Sequence, residues 1–152
     1  MHTRYVENAR RSAQGRSIQA TFREYSATDQ IEPQIRAAQK LGAQALIVLP
    51  GPASMVGRRE IIKVVQALRW PAIGWSPEFA DDGLPLAYGP DFTAVYRRAA
   101  YYADRILRGA KPGDLPIEQP TTFQLVMNLK AAKAMGITFP QSFLVRADRV
   151  IE

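Results

Sequence analysis

The chain has 152 residues, 47% hydrophobic and 22% charged, with a net charge of +6, no cysteine and one histidine, His2. That size and balance fit one globular domain with a buried core. They exclude thiol catalysis, disulfides and cysteine-ligated metals, and leave a Ser-His-Asp triad or a multi-histidine metal site resting on His2 alone. A basic balance points to nucleic acid or an anionic membrane. The arginines are nevertheless scattered through helical segments rather than gathered beside aromatic stacking residues, which favours a solvated surface and no nucleic-acid partner. No run reaches the roughly 18 apolar residues that cross a bilayer. The start, MHTRYVENARRSAQ, is charged and amphipathic and lacks the apolar segment of a signal peptide, so the chain is expected to be cytoplasmic if Met1 is the true start.

Residues 3–14 read as a helix closed by Gly15. Residues 17–25 alternate Ile18, Ala20 and Phe22 against Gln19, Thr21 and Arg23, which is strand periodicity. A loop at 26–29 leads into a helix over 30–41, with Ile31, Ile35 and Ala38 inward and Pro33 tolerated in its first turn. Residues 45–49 (ALIVL) form a wholly apolar run, the pattern of a parallel strand buried on both faces. The loop 50–54 enters a helix near 55–68, whose core face carries Ile61, Val64, Val65 and Leu68. A third strand follows at 72–75, then a loop at 76–83. A short fourth strand at 84–87 carries Pro85 and is expected near an edge.

A tight turn at Tyr88-Gly89-Pro90 then leads to Asp91, which opens a helix as its cap. The helix runs over 91–108. Phe92, Val95, Ala99, Tyr102 and Ile106 line one face, and Arg97, Arg98, Arg105 and Arg108 the other. Gly109 and Pro112 stop it. An extended crossing, a strand at 123–127, a short helix at 129–135 and a tail from Pro140 complete the chain. Alternating strands and helices predict an α/β fold: a parallel sheet with helices on both faces, built from right-handed βαβ units.

In an open parallel sheet, ligands bind beyond the carboxyl ends of the strands. The loops 26–29, 50–54, 76–82 and 88–91 occupy those positions. Ser54 and nearby amides could hold a carboxylate, or Ser54 could simply cap a plain βα turn. Tyr88 and Asp91 offer an aromatic wall and a carboxylate for an ammonium, while capping its helix is the favoured main role of Asp91. Trp75 and Phe79 line the same cleft or belong to the core. Glu78, Asp81 and Asp82 read as a soluble loop rather than an acid/base or metal cluster, because no second ligand set has matching spacing. Neither GxGxxG nor GxxxxGK[ST] is present. No cofactor and no metal are expected.

The run ILRGAKPGDLPIEQPTTFQLVMNLKAAKAMGI, preceded by YGPD and more loosely by ALIVLPGP, RREI and WPAIGW, resembles the C-terminal part of ABC-transporter substrate-binding proteins. The similarity is to the tryptophan/tyrosine-binding type with the type 1 periplasmic binding protein fold, and it extends from about Tyr5 onward. Such proteins hold a small ligand between two α/β lobes, deliver it to a membrane permease and catalyse nothing. The resemblance implies a Rossmann-like C-terminal lobe, truncated to about half the usual length and forming a single domain over 1–152. It implies hinge crossings near 87–90 and 115–121, and a helix at 91–108 that would normally pack on the absent lobe. It implies an amino acid or small carboxylate-like solute as ligand and a periplasmic or extracytoplasmic location. The uncovered helix suggests a homodimer.

By position in that pattern the ligand contacts are Gly51, Pro52, Ser54, Phe79, Tyr88 and Asp91. The amino-acid-binding members usually carry Thr-Asp-Asn where this chain has Gly51-Pro52-Ala53-Ser54. A regulatory sensing module, a non-functional fragment and a small flavodoxin-like enzyme are the alternatives.

Overall fold

In the computed structural model of the chain, which describes residues 2–152, five short strands form one sheet in the order β1-β2-β3-β4-β5. β1 (Leu46–Ile47), β2 (Ala72–Gly74) and β3 (Leu86–Pro90) run parallel. β4 (Phe123–Asn128) lies antiparallel to β3, and β5 (Arg149–Ile151) runs parallel to β4. The helices are α1 (His2–Gln14), α2 (Ile31–Lys40), α3 (Pro52–Val56), α4 (Arg58–Leu68), α5 (Pro77–Asp81), α6 (Phe92–Leu107), α7 (Leu129–Ala134) and α8 (Gln141–Leu144). Met1 and the side chains of His2 and Thr3 lie outside what the structure describes. No helix among the described residues is long and apolar enough to cross a membrane.

The core forms where one face of the sheet meets α2, α4 and α5. Ile31 and Ile35 of α2, Ile61, Ile62, Val64 and Val65 of α4, and Phe79 and Ala80 of α5 pack with Val48, Ala72, Ala87 and Val126. Each buried aliphatic side chain contributes on the order of 1.5–3 kcal/mol, so this cluster is the main source of stability. Two glycines let its layers close. A Cβ on Gly74 would run into the Phe79 ring, and a Cβ on Gly89 would collide with the backbone carbonyl of Trp75. Only glycine permits such approaches. Asn128 then ties three elements together. Its amide donates to the Ala80 carbonyl of α5 at 2.8 Å, and its oxygen accepts from Ala131 N at 2.8 Å as the cap of α7.

Several elements differ from expectation, each for a local reason. Residues 17–25 form no strand. Their alternation is present, but among the described residues no backbone hydrogen bond involves residues 19–25, and a strand needs a partner edge. The ALIVL run is not buried on both faces. β1 is an edge strand bonded only to β2, and Ile47 is 68% exposed. The helix expected near 55–68 is two helices separated at Gly57, where the Ile31 side chain leaves no room for a Cβ.

The fourth strand is central rather than near an edge. Pro85 precedes it and is buried, and its carbonyl accepts from Asn128 N at 3.0 Å, so its missing N–H breaks no ladder. Tyr88-Gly89-Pro90 is therefore strand, paired with Leu125, Gln124 and Phe123, and not a tight turn. The loop at 76–83 contains α5, a helix too short to show a period. The tail after Pro140 contains α8 and β5. The sheet is mostly rather than wholly parallel, because β4 returns beside β3.

The helix over 91–108 forms as expected, but it buries none of its residues. It is held instead to the crossing that follows it. Arg98 Nε donates to Glu118 at 2.7 Å, Tyr102 donates to the Pro116 carbonyl at 2.8 Å, and the Arg98 guanidinium lies over the Tyr101 ring. The Arg98 guanidinium, with a smaller contribution from the Tyr102 hydroxyl, holds the Glu118 carboxyl below its ordinary value.

A carboxyl with a lowered folded-state pKa stabilises the fold above the ordinary carboxylate range, and that contribution fades as pH falls through the lowered value. Glu118→Gln is thus expected to melt below wild type at neutral pH and to converge with it in acid. Melting curves that stay parallel across pH would show that the pair contributes nothing. Gly89→Ala is expected to destabilise the fold by about 3 kcal/mol or more, since backbone must move to admit the methyl. Urea unfolding measures this, and a loss under about 0.5 kcal/mol would disprove the close-approach account.

Candidate functional site

The carboxyl ends of β1, β2 and β3 point the same way because the three strands are parallel, and their exit loops meet there. The loop after β1 folds around Ser54, which is 5% exposed. Its hydroxyl approaches the carbonyls of Gly51 at 2.8 Å and Leu49 at 3.2 Å, and accepts from the Trp75 indole N–H at 3.0 Å. The Tyr25 hydroxyl lies beside the same group. Burial pushes it above its ordinary value, and its interaction with Ser54 partly opposes the rise. One hydroxyl therefore fastens the exit of β1 to the exit of β2.

Trp75 is half-buried at the end of β2. Its ring meets Phe79 of α5 at 6.2 Å and, in a T-shaped pair, Phe92 of α6 at 6.0 Å and 78°, and Phe92 in turn meets Tyr96 at 6.4 Å. Edge-to-face pairs of this kind favour a fixed ring orientation. Asp91 caps α6, accepting from Ala94 N at 3.2 Å, while its own N–H donates to the Thr122 carbonyl at 3.0 Å. The entry to α6 is thus bonded to the residue that precedes β4.

The six residues singled out from the sequence fall into different settings. Gly51 is half-buried in the β1 exit loop, and Pro52 is exposed at the first turn of α3. Ser54 is adjacent, but its hydroxyl is engaged inward. Asp91 lies at the same end of the sheet through α6, with Oδ1 engaged as the cap. Phe79 is fully buried beneath Trp75, so the structure gives it a packing position rather than a ligand-facing one. Tyr88 is 52% exposed and stacks on Phe123 at 5.6 Å. Strand alternation places it on the face opposite Ala87 and Gly89.

Glu78, Asp81 and Asp82 do not converge. Glu78 accepts from the Ser76 hydroxyl, Asp81 pairs with Arg149 of β5 at 2.7 Å, and Asp82 pairs with Arg58 of α4 at 2.7 Å. The residues sequence reasoning undervalued are Trp75 and Phe92. An aromatic directly after a buried parallel strand was the available signal for Trp75. Phe92 was read only as packing face.

This mostly parallel α/β sheet, with its exit loops gathered at one end, is the fold of a periplasmic-binding-protein lobe. The chain matches the model of the ABC transporter substrate binding protein family over residues 6–151, and it belongs to that family. A search of curated proteins returns no match. Among solved structures, a conserved domain protein from Vibrio cholerae superposes with a TM-score of 0.92 at 21% identity, over 98% of this chain and 50% of that one. The ABC domain from Streptococcus pneumonia, solved with L-Trp, gives 0.89 at 22% identity, over 99% and 50%. A ligand-free, open substrate binding protein with adhesive properties from Clostridium difficile gives 0.66 at 14% identity, over 97% and 48%. The chain spans about half the length of these structures, and the likeness is one of fold.

The Asp91 cap yields a direct expectation. Asp91→Ala should cost about 1 kcal/mol of stability through the lost cap, read as a lower urea midpoint with an unchanged slope. A loss below about 0.3 kcal/mol would leave the carboxylate without a capping role.

Proposed function

We propose that this chain supplies one side of the solute site in the binding component of an ABC-type importer, holding a small molecule without catalysing its conversion. The observation that carries this reading is the meeting of the β1 and β2 exit loops around Ser54 and Trp75, with the Asp91 cap at the same end, in a chain that matches the family over residues 6–151. The solute is an amino acid or a small carboxylate-like compound. One of the similar structures holds L-Trp, which makes that amino acid the first compound to try. A membrane permease is the partner that receives the solute, and the location is extracytoplasmic.

Two further features fit this role. The Asp91 N–H donates to the Thr122 carbonyl, joining the residue that follows 87–90 to the residue that follows 115–121, which supports reading those two segments as hinge crossings. α6 buries none of its residues, and Tyr96 and Leu107 are widely exposed. A second body covering this helix accounts for an apolar content that otherwise faces water. That body is a companion lobe or, in its absence, a second copy of the chain.

A binding site formed by one lobe lacks closure and half its contacts. The 152-residue chain alone is expected to bind with Kd of about 1 mM or weaker. A thermal-shift screen against amino acids and small carboxylates, run beside size-exclusion chromatography, tests this. Ligand at a hundredfold excess over Kd adds about 2.7 kcal/mol, so a saturable rise in melting temperature supports the reading. A folded chain unmoved by every compound, alone and joined to a companion lobe, would overturn it.

A further inference from the structure

We infer that Ser54 is a positioning residue whose hydroxyl fixes the Trp75 indole as the ligand-facing platform of the site, rather than a ligand contact itself. This deepens the proposed solute-binding role and rests on it. The hydroxyl is turned to the protein. It accepts from Trp75 Nε1 at 3.0 Å, lies 2.8 Å from the Gly51 carbonyl and 3.2 Å from that of Leu49, and is 5% exposed. A hydroxyl has one proton and two lone pairs. The carbonyls share the proton, the indole N–H takes one lone pair, and the other lies in a 5% exposed setting near the Tyr25 hydroxyl. The group thus faces the protein rather than a solute.

Trp75 has the opposite character. It stands half-buried at the carboxyl end of a parallel strand, where ligands of such sheets bind. Every element around it restrains its ring. Phe79 packs against it from α5, Phe92 meets it in a T-shaped pair from α6, and Ser54 holds its N–H. Its backbone is fixed as well, because Gly89 of β3 packs against its carbonyl. An indole whose polar atom is already bonded presents the rest of its surface as a flat apolar face. A preorganised ring of this kind binds a planar or apolar group without the cost of ordering it on arrival.

The chain has two tryptophans, Trp70 and Trp75, so incorporation of 5-fluorotryptophan gives two fluorine signals, assigned by Trp70→Phe. In the ligand-free chain, Ser54→Ala is expected to shift or broaden the Trp75 signal and leave that of Trp70 in place, and Ser54→Thr to restore it. An unmoved Trp75 signal in a folded Ser54→Ala chain overturns the positioning role. The unmutated chain provides a second reading, in which the Trp75 indole N–H should exchange with solvent more slowly than an open indole. Exchange at the open rate would also overturn the role.

Unlabelled L-tryptophan at millimolar concentration is the probe for the platform. Movement of the Trp75 signal alone supports it. Stabilisation of the chain with the Trp75 signal unmoved places binding elsewhere and refutes the platform while sparing the binding reading. Absence of both effects, for this probe and for the wider panel on a chain joined to its companion lobe, refutes the binding reading itself.

Discussion

The structure turns on how closely other backbone can approach the end of β2. Gly74 admits the Phe79 ring from one side, and Gly89 admits the Trp75 carbonyl from β3. These contacts bring α5 and β3 against the same three or four residues, at the point where the sheet gives way to its exit loops. A single methyl at either glycine meets either a buried ring or a backbone carbonyl, and neither can swing aside as a flexible side-chain end would. The close packing of α5 and β3 around Trp75 follows from that proximity.

Much of the architecture was legible in the sequence because its signals were local. The helix from Asp91 announced itself by cap, period and stop, and the sheet-forming runs at 45–49, 72–75 and 123–127 were found within a residue or two of β1, β2 and β4. What could not be read was pairing. Residues 17–25 and ALIVL carry good strand chemistry, yet one is unpaired and the other is an edge, because hydrogen-bonded neighbours are set by topology and not by the residues themselves. Pro85 misled for the same reason. Its lack of an N–H argues for an edge only if it lies within the ladder, and it lies just before it.

The site was legible in outline and not in its allocation of roles. Parallel strands told where the loops would gather, and Ser54 and Asp91 were found there. Whether a polar side chain faces a solute or the protein depends on where its hydrogen bonds go, and sequence spacing does not encode that. Ser54 turned inward to Trp75, Phe79 sank beneath it, and the carboxylates at 78, 81 and 82 parted to separate partners. The resemblance to substrate-binding proteins supplied the family correctly. It carried no information on these orientations.

Those carboxylates give the C-terminus a reach that its position in the sequence conceals. Asp81 and Asp82 are neighbours at the end of a one-turn helix, and successive residues there project in directions about 100° apart. One therefore grips Arg149 in the last strand, and the other grips Arg58 in α4. The C-terminal end of α5 is in this way tied both to the edge strand of the sheet and to a core helix, two residues beyond Phe79, which packs against Trp75. The closing RVI segment, far along the chain from α5, is thus joined to the short helix whose Phe79 packs against Trp75.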